Sequence, residues 1–227
     1  MAWGTYFMGY RVPLFRGLRE PRFISYQLRK EESFVGLWRP ILLLAIASMI
    51  IAGISAYFGI GSESVSKALT DLSRGEYEAQ KTLFASGQIL WGLVWSLLAI
   101  FIPSLFFWTL LDVEYRKLLI VQLIIFMIFL LEKLISIPIN LILGVGVESN
   151  IFSFGIIAQA FTSIELIIHF FSNITLFKIW AIILIYIYYK NLSEKSPRFL
   201  IFTLIGFYVF VAIIAALLSY IKFENII

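Results

Sequence analysis

The chain has 227 residues, of which 61% are hydrophobic, 17% aromatic and only 14% charged. A water-soluble domain is roughly 45–50% apolar and about 25% charged, so this composition excludes an ordinary soluble enzyme and indicates an integral membrane protein. Cysteine is absent, which excludes disulfides, thiolate metal sites and cysteine nucleophiles. The formal net charge is +4, but seven of the 18 Lys and Arg residues precede the first apolar span. That is a positive-inside bias, not a nucleic-acid footprint.

Residues 1–39 carry Arg11, Arg16, Arg19, Arg22, Arg29, Lys30 and Arg39 against Glu20, Glu31 and Glu32. Phe15, Phe23, Ile24, Tyr26 and Leu28 lie between the charges. The pattern predicts a basic amphipathic arm, with a short helix beginning near Pro21 and lying in the cytoplasmic headgroup layer. Residues 1–22 lack a clean apolar core and hold four arginines, so no signal peptide is expected there. The arm's charges set topology on the plainest account. Arg19, Arg22, Arg29 and Lys30 are also candidates for docking a cytoplasmic partner.

The first span is expected at about 40–59, with Pro40 in its first turn. Ala45, Ser48, Ala52, Ala56 and Gly59 recur at spacings of three and four, a small-residue face for close helix packing. Residues 60–86 are polar with nearly balanced charge, and read as an external, solvated helical connection. A second span follows at about 86–111, with Gly92, Ser96 and Ala99 as its small-residue face and Trp91, Trp95 and Trp108 toward its ends. Pro103 lies inside it and predicts a kink. The tight connection DVEYRK carries Arg116 and Lys117 and fits the cytoplasmic side.

The third span, about 118–143, holds Glu132, Lys133, Ser136, Pro138 and Asn140. Glu132 lies about 20 Å along the axis from Leu118 at 1.5 Å per residue, in the outer half of the bilayer. Ionisable groups at such depth are functional candidates by default. A polar clasp between helices, or a span ending near Pro138, is the structural alternative. After the turn GVGVESN, residues 151–172 are apolar with polar interruptions at Gln159, Ser163 and Glu165. A crossing there would place the basic loop 190–198 outside, against the charge rule. An external interfacial or re-entrant helix is therefore expected. Glu165 and His169 share one helical face, a minimal geometry for a proton relay or a metal. With only two ligands and one histidine in the chain, no metal centre or cofactor is expected.

The fourth span is expected at about 174–189 and the fifth at about 199–221. The short loop between them carries Lys190, Lys195 and Arg198 and should be cytoplasmic. Lys178, near the outer end of the fourth span, is expected to pair with Glu132. Ala212, Ala215, Ala216 and Ser219 form the packing face of the fifth, and the tail KFENII would be external. The architecture expected is all-α: a polytopic bundle of five transmembrane helices with a cytoplasmic N-terminus.

The run LFKIWAIILIYIYYKNLSEKSPR resembles the fourth span of bacterial Yip-domain proteins, with its Leu-Phe-x-x-Trp opening and basic turn. EPRFISYQLRKEESFVGLWRPILLLAI is similar to that family's approach to its first span. The resemblance covers about residues 18–221 and lies in layout more than in single residues. It implies a non-enzymatic five-helix bundle of the bacterial cytoplasmic membrane, in contact with the lipid bilayer. It further implies association with another membrane complex, such as an ABC-type efflux transporter linked to resistance to toxins or antimicrobial peptides. The polar segment Glu165–His169 departs from the family pattern.

Two other classes compete. One is a small proton-coupled transporter or permease using Glu132, Lys178, Glu165 and His169, with Pro103 and Pro138 as helix breaks; no internal repeat supports it. The other is an intramembrane metalloprotease, since His169-Phe-Phe-Ser-Asn173 is similar to the His-x-x-x-Asn element of CAAX-type proteases. Glu31-Glu32 lacks the arginine that should follow in that family, and the second histidine is missing.

Overall fold

A computed structural model describes residues 12–61, 74–143 and 150–220. Among these the chain forms nine helices and no strand. They are α1 (Leu14–Arg19), α2 (Pro21–Lys30), α3 (Trp38–Tyr57), α4 (Arg74–Leu110), α5 (Tyr115–Leu143), α6 (Gly155–Phe161), α7 (Glu165–Ser172), α8 (Leu176–Leu192) and α9 (Pro197–Tyr220). Arg11, the turn read at 144–149 and the tail from 221 onward lie outside the described residues, as do residues 62–73 of the connection read at 60–86.

Four of the helices, α3, α4, α5 and α9, are long and apolar enough to cross a membrane. The fourth expected span falls on α8, which has 17 residues and so reaches only about 25 Å. Polar groups close it at both ends: Thr175 caps its start and Lys190 lies in its last turn. The second span is longer than expected, because α4 starts at Arg74 and takes in part of the polar connection. Pro103 and Pro138 sit inside continuous helices, so neither ends a span. The single helix expected over 151–172 is two short ones. The chain turns extended at Thr162 (φ −148°, ψ 150°), whose hydroxyl accepts from the Ile164 N–H.

α5 is the axis of the fold. Every residue from Leu118 to Ile128 is buried, a run of about three turns, so all faces of this helix are covered by protein. α3 and α4 pack on one side, around Leu44, Ile51, Ile100, Leu123 and Phe126. α8 and α1 cover the other, and Leu204 and Phe207 of α9 join the same apolar cluster around Val121, Ile125 and Tyr188. Within that second cluster Gln122 Nε2 donates to Tyr189 Oη at 2.9 Å, with both residues buried. The outward faces of α3 and α9 remain apolar and exposed (Leu42, Leu43 and Ile50; Phe202, Ile205 and Phe210), as lipid-facing surfaces should be.

The arm is built into this bundle. α2 begins at Pro21 as expected, but its apolar face rests on protein: Ile24 and Leu28 are buried against α8. Gly17 of α1 packs on α5 so closely that a Cβ there would stand 2.6 Å from Ile124 Cδ1. Tyr188 Oη donates to the Gly17 carbonyl (2.8 Å), Asn191 Nδ2 to Ser25 Oγ (2.7 Å) and Lys117 Nζ to the Arg29 carbonyl (3.1 Å). Lys195 Nζ pairs with Asp112 Oδ2 at 2.7 Å. That pair is exposed and worth little energy, but it fixes geometry. The arm, the α4–α5 turn and the α8–α9 turn all meet at one end of the bundle.

α3 and α4 meet through the small-residue faces expected of them. Ser48 Oγ donates to the Gly92 carbonyl at 2.8 Å, and a Cβ on Gly92 would lie 2.9 Å from the Ser48 carbonyl oxygen. Backbone rather than a flexible side chain stands in the way, so a larger residue must force the helices apart. Gly92→Leu is expected to destabilise the detergent-purified protein by about 1–3 kcal/mol, seen as a lower thermal midpoint. Gly87→Leu on the same helix, where a Cβ meets nothing within 4 Å, is the control. Equal shifts for the two would show that the close approach does not matter.

Candidate functional site

At the end of the bundle opposite the arm, three segments bring polar groups together. Glu132 is buried on α5, and its Oε1 accepts from Asn150 Nδ2 at 3.3 Å. Asn150 holds its own turn by accepting from the Phe152 N–H through Oδ1 at 3.0 Å. That turn is pinned to the start of α8 by backbone bonds from Phe154 N to the Ile174 carbonyl (2.9 Å) and from Leu176 N to the Phe152 carbonyl (3.0 Å). Thr175 caps α8, its Oγ1 accepting from the Lys178 N–H at 3.1 Å. Thr175 is itself buried there.

The expected direct pairing of Glu132 with Lys178 does not form. The ion pairs among the described residues are Arg16–Glu20 and Lys195–Asp112. Lys178 Nζ turns to the Asn173 carbonyl at 2.6 Å, the C-cap of α7. Each charge is thus met by a neutral neighbour, Glu132 by Asn150 and Lys178 by Asn173, and not by the other. Lys133, the next residue along α5, points away and stands over the Trp95 ring on α4 at 5.4 Å. This divergence follows from the 100° between adjacent helical residues.

Further along the Glu132 face of α5 lie Ser136 and Asn140. Asn140 is 8% exposed, and its Oδ1, the Ser136 Oγ and the Trp95 Nε1 are buried without a hydrogen-bond partner. Glu165 and His169 sit one turn apart on α7, which packs against α6 and α9. Among the described residues no group of three or more His, Asp or Glu gathers as a metal would need. At the other end Arg19, Arg22, Arg29 and Lys30 are all exposed on the arm.

Asn150, Asn173 and Thr175 complete the cluster; Asn150 and Thr175 were not singled out in the sequence, and Asn173 only as part of the His169-Phe-Phe-Ser-Asn173 element. Thr175 carried a readable signal, a hydroxyl residue directly before an apolar helical run. Asn150 carried none, because only the returning chain brings it beside Glu132. Comparison with protein-family models, curated proteins and solved structures finds no match.

Glu132→Gln and Lys178→Met should each lower the thermal midpoint, since each leaves the other charge in a poorly hydrated site without its opposite. The double variant should lose less than the sum, with a coupling of about 0.5–3 kcal/mol. Additive shifts in this double-mutant cycle would show that the two charges do not act on one another.

Proposed function

We propose that the chain is a non-enzymatic accessory protein of the bacterial cytoplasmic membrane that binds another membrane complex. In this reading α3, α4, α5, α8 and α9 cross the bilayer, the arm lies in the cytoplasm, and α6 and α7 form an interfacial or re-entrant hairpin outside. The contact of Lys195 with Asp112 supports five crossings. If α8 did not cross, these two turns would lie on opposite faces of a hydrocarbon layer about 30 Å thick. The shortness of α8 fits a helix whose terminal Lys190 snorkels to the interface. Arg116, Lys117, Lys190, Lys195, Arg198 and the arm's arginines belong to one end of the bundle, and the charge rule assigns that end to the cytoplasm.

The observation that carries the accessory reading is the anchored arm. Its apolar face is bound to α8 while Arg19, Arg22, Arg29 and Lys30 stay exposed, so the basic surface is presented in a fixed shape. Layout in the manner of Yip-domain proteins points to a membrane complex such as an ABC-type efflux transporter as partner. The second reading, a proton-coupled permease, draws on the buried Glu132 cluster and on the unpartnered Ser136 and Asn140 atoms.

Mild-detergent purification from native membranes, followed by mass spectrometry, tests the first reading. A stoichiometric membrane complex is expected with the natural protein and should be lost with Arg19→Glu/Lys30→Glu. Purification of the natural protein alone, together with proton flux in proteoliposomes that Glu132→Gln abolishes, would favour the permease instead.

A further inference from the structure

We propose that the seam between α2 and α8 is a binding site for the phosphate headgroup of an anionic phospholipid. A cavity of about 450 Å³ opens there, lined by Arg22, Tyr26 and Arg29 of α2 and by Tyr186, Lys190 and Asn191 of α8. Arg22 and Arg29 are seven residues apart, two turns along one face of α2, with Tyr26 between them. Tyr186 and Lys190 face them from one turn of α8, the Lys190 ammonium 6.0 Å from the Tyr186 ring centroid. Three cations thus converge on one cavity with no carboxylate in its lining. The ion pairs formed among the described residues lie elsewhere. Convergent guanidinium groups are the usual receptors for phosphate oxygens, which they bind in a planar, two-point manner.

The walls are held in place before any ligand arrives. The Asn191–Ser25 bond of 2.7 Å ties α8 to α2 beside the cavity, and Ser25 is itself fixed by donating to the Arg22 carbonyl at 2.9 Å. The volume falls within the range of small-molecule sites, about 300–1,000 Å³.

What favours a lipid over a free phosphate is the surface that leads away from the cavity. Lys190, Ile187, Ile183 and Ile179 follow one another at spacings of three and four along α8, so they share a face. Ile187 lines the cavity, and Ile183 and Ile179 beyond it are 53% and 38% exposed. A phosphate seated among Arg22, Arg29 and Lys190 would place its acyl chains along that apolar track. A free anion has no use for it.

The test is direct binding to the purified full-length protein in detergent, read by native mass spectrometry. Phosphatidylglycerol, phosphatidylcholine and soluble glycerol phosphate are the three probes. No other protein is present, so the outcome is independent of whether a membrane partner exists. Phosphatidylglycerol should be retained about tenfold or more over phosphatidylcholine, and Arg22→Gln/Arg29→Gln should remove that preference. Lys190→Gln, which leaves the α2 arm unaltered, should weaken it in the same direction and guards against misfolding of the double variant. Equal retention of the two lipids would overturn the proposal, as would a preference untouched by all three changes. Glycerol phosphate binding as tightly as the lipid would make this a soluble-anion site instead.

Discussion

The structure depends on one helix having no outside. Over Leu118–Ile128 α5 is enclosed on every face, so each neighbour must offer it a complementary surface. In lipid the hydrophobic effect gives little reward for bringing apolar helices together, and close packing with a few internal hydrogen bonds must do it. The Gln122–Tyr189 bond is of this kind. It joins α5 to α8 where neither group can reach water, and losing one partner would leave the other unsatisfied at a cost of about 1–3 kcal/mol. Next to Tyr189, Tyr188 reaches the Gly17 carbonyl. Two consecutive tyrosines on α8 therefore hold the central helix and the arm.

Much of the fold was legible in the sequence because lipid imposes simple demands. Apolar runs of bilayer length located α3, α4, α5 and α9, and small residues at three- and four-residue spacing located the α3–α4 contact at Ser48 and Gly92. What the sequence does not show has a common physical cause, which is that hydropathy describes an element's solvent and not its partner. α2 has the pattern of a helix lying on lipid, and the same pattern serves equally for one lying on α8. α4 continues into polar sequence because helix formation does not stop where the bilayer does. The break at Thr162 rests on a local hydroxyl-to-backbone bond, which no apolar periodicity registers.

The polar cluster was legible in part. Glu132, Lys178 and Asn140 stand out as polar residues in apolar runs, and all three lie toward the end of the bundle where Asn150 returns. The details that decide their chemistry were hidden. Lys178 is claimed by a backbone carbonyl, an acceptor that every residue possesses and none advertises. Glu132 is met by Asn150, eighteen residues away, through a turn whose placement depends on the pairing of Phe152 and Phe154 with the start of α8. Side-chain spacing within one helix reveals shared faces. It says nothing of the chain that comes back to cover them.

The distribution of polar groups bears on the choice between assisting and transporting. From Gln122 to Glu132 is about 15 Å along α5, and nine apolar residues fill the interval. All but Phe129 and Leu131 are buried, and those two are half-buried. A proton or solute moving between the Glu132 cluster and the basic end would have to open the most tightly enclosed part of the molecule. Transporters of the broken-helix type place unwound backbone at the midplane to avoid that cost, whereas α5 runs unbroken through it. The two polar ends are thus separated by an apolar, continuous core. That separation weighs for the proposed accessory reading and against the permease.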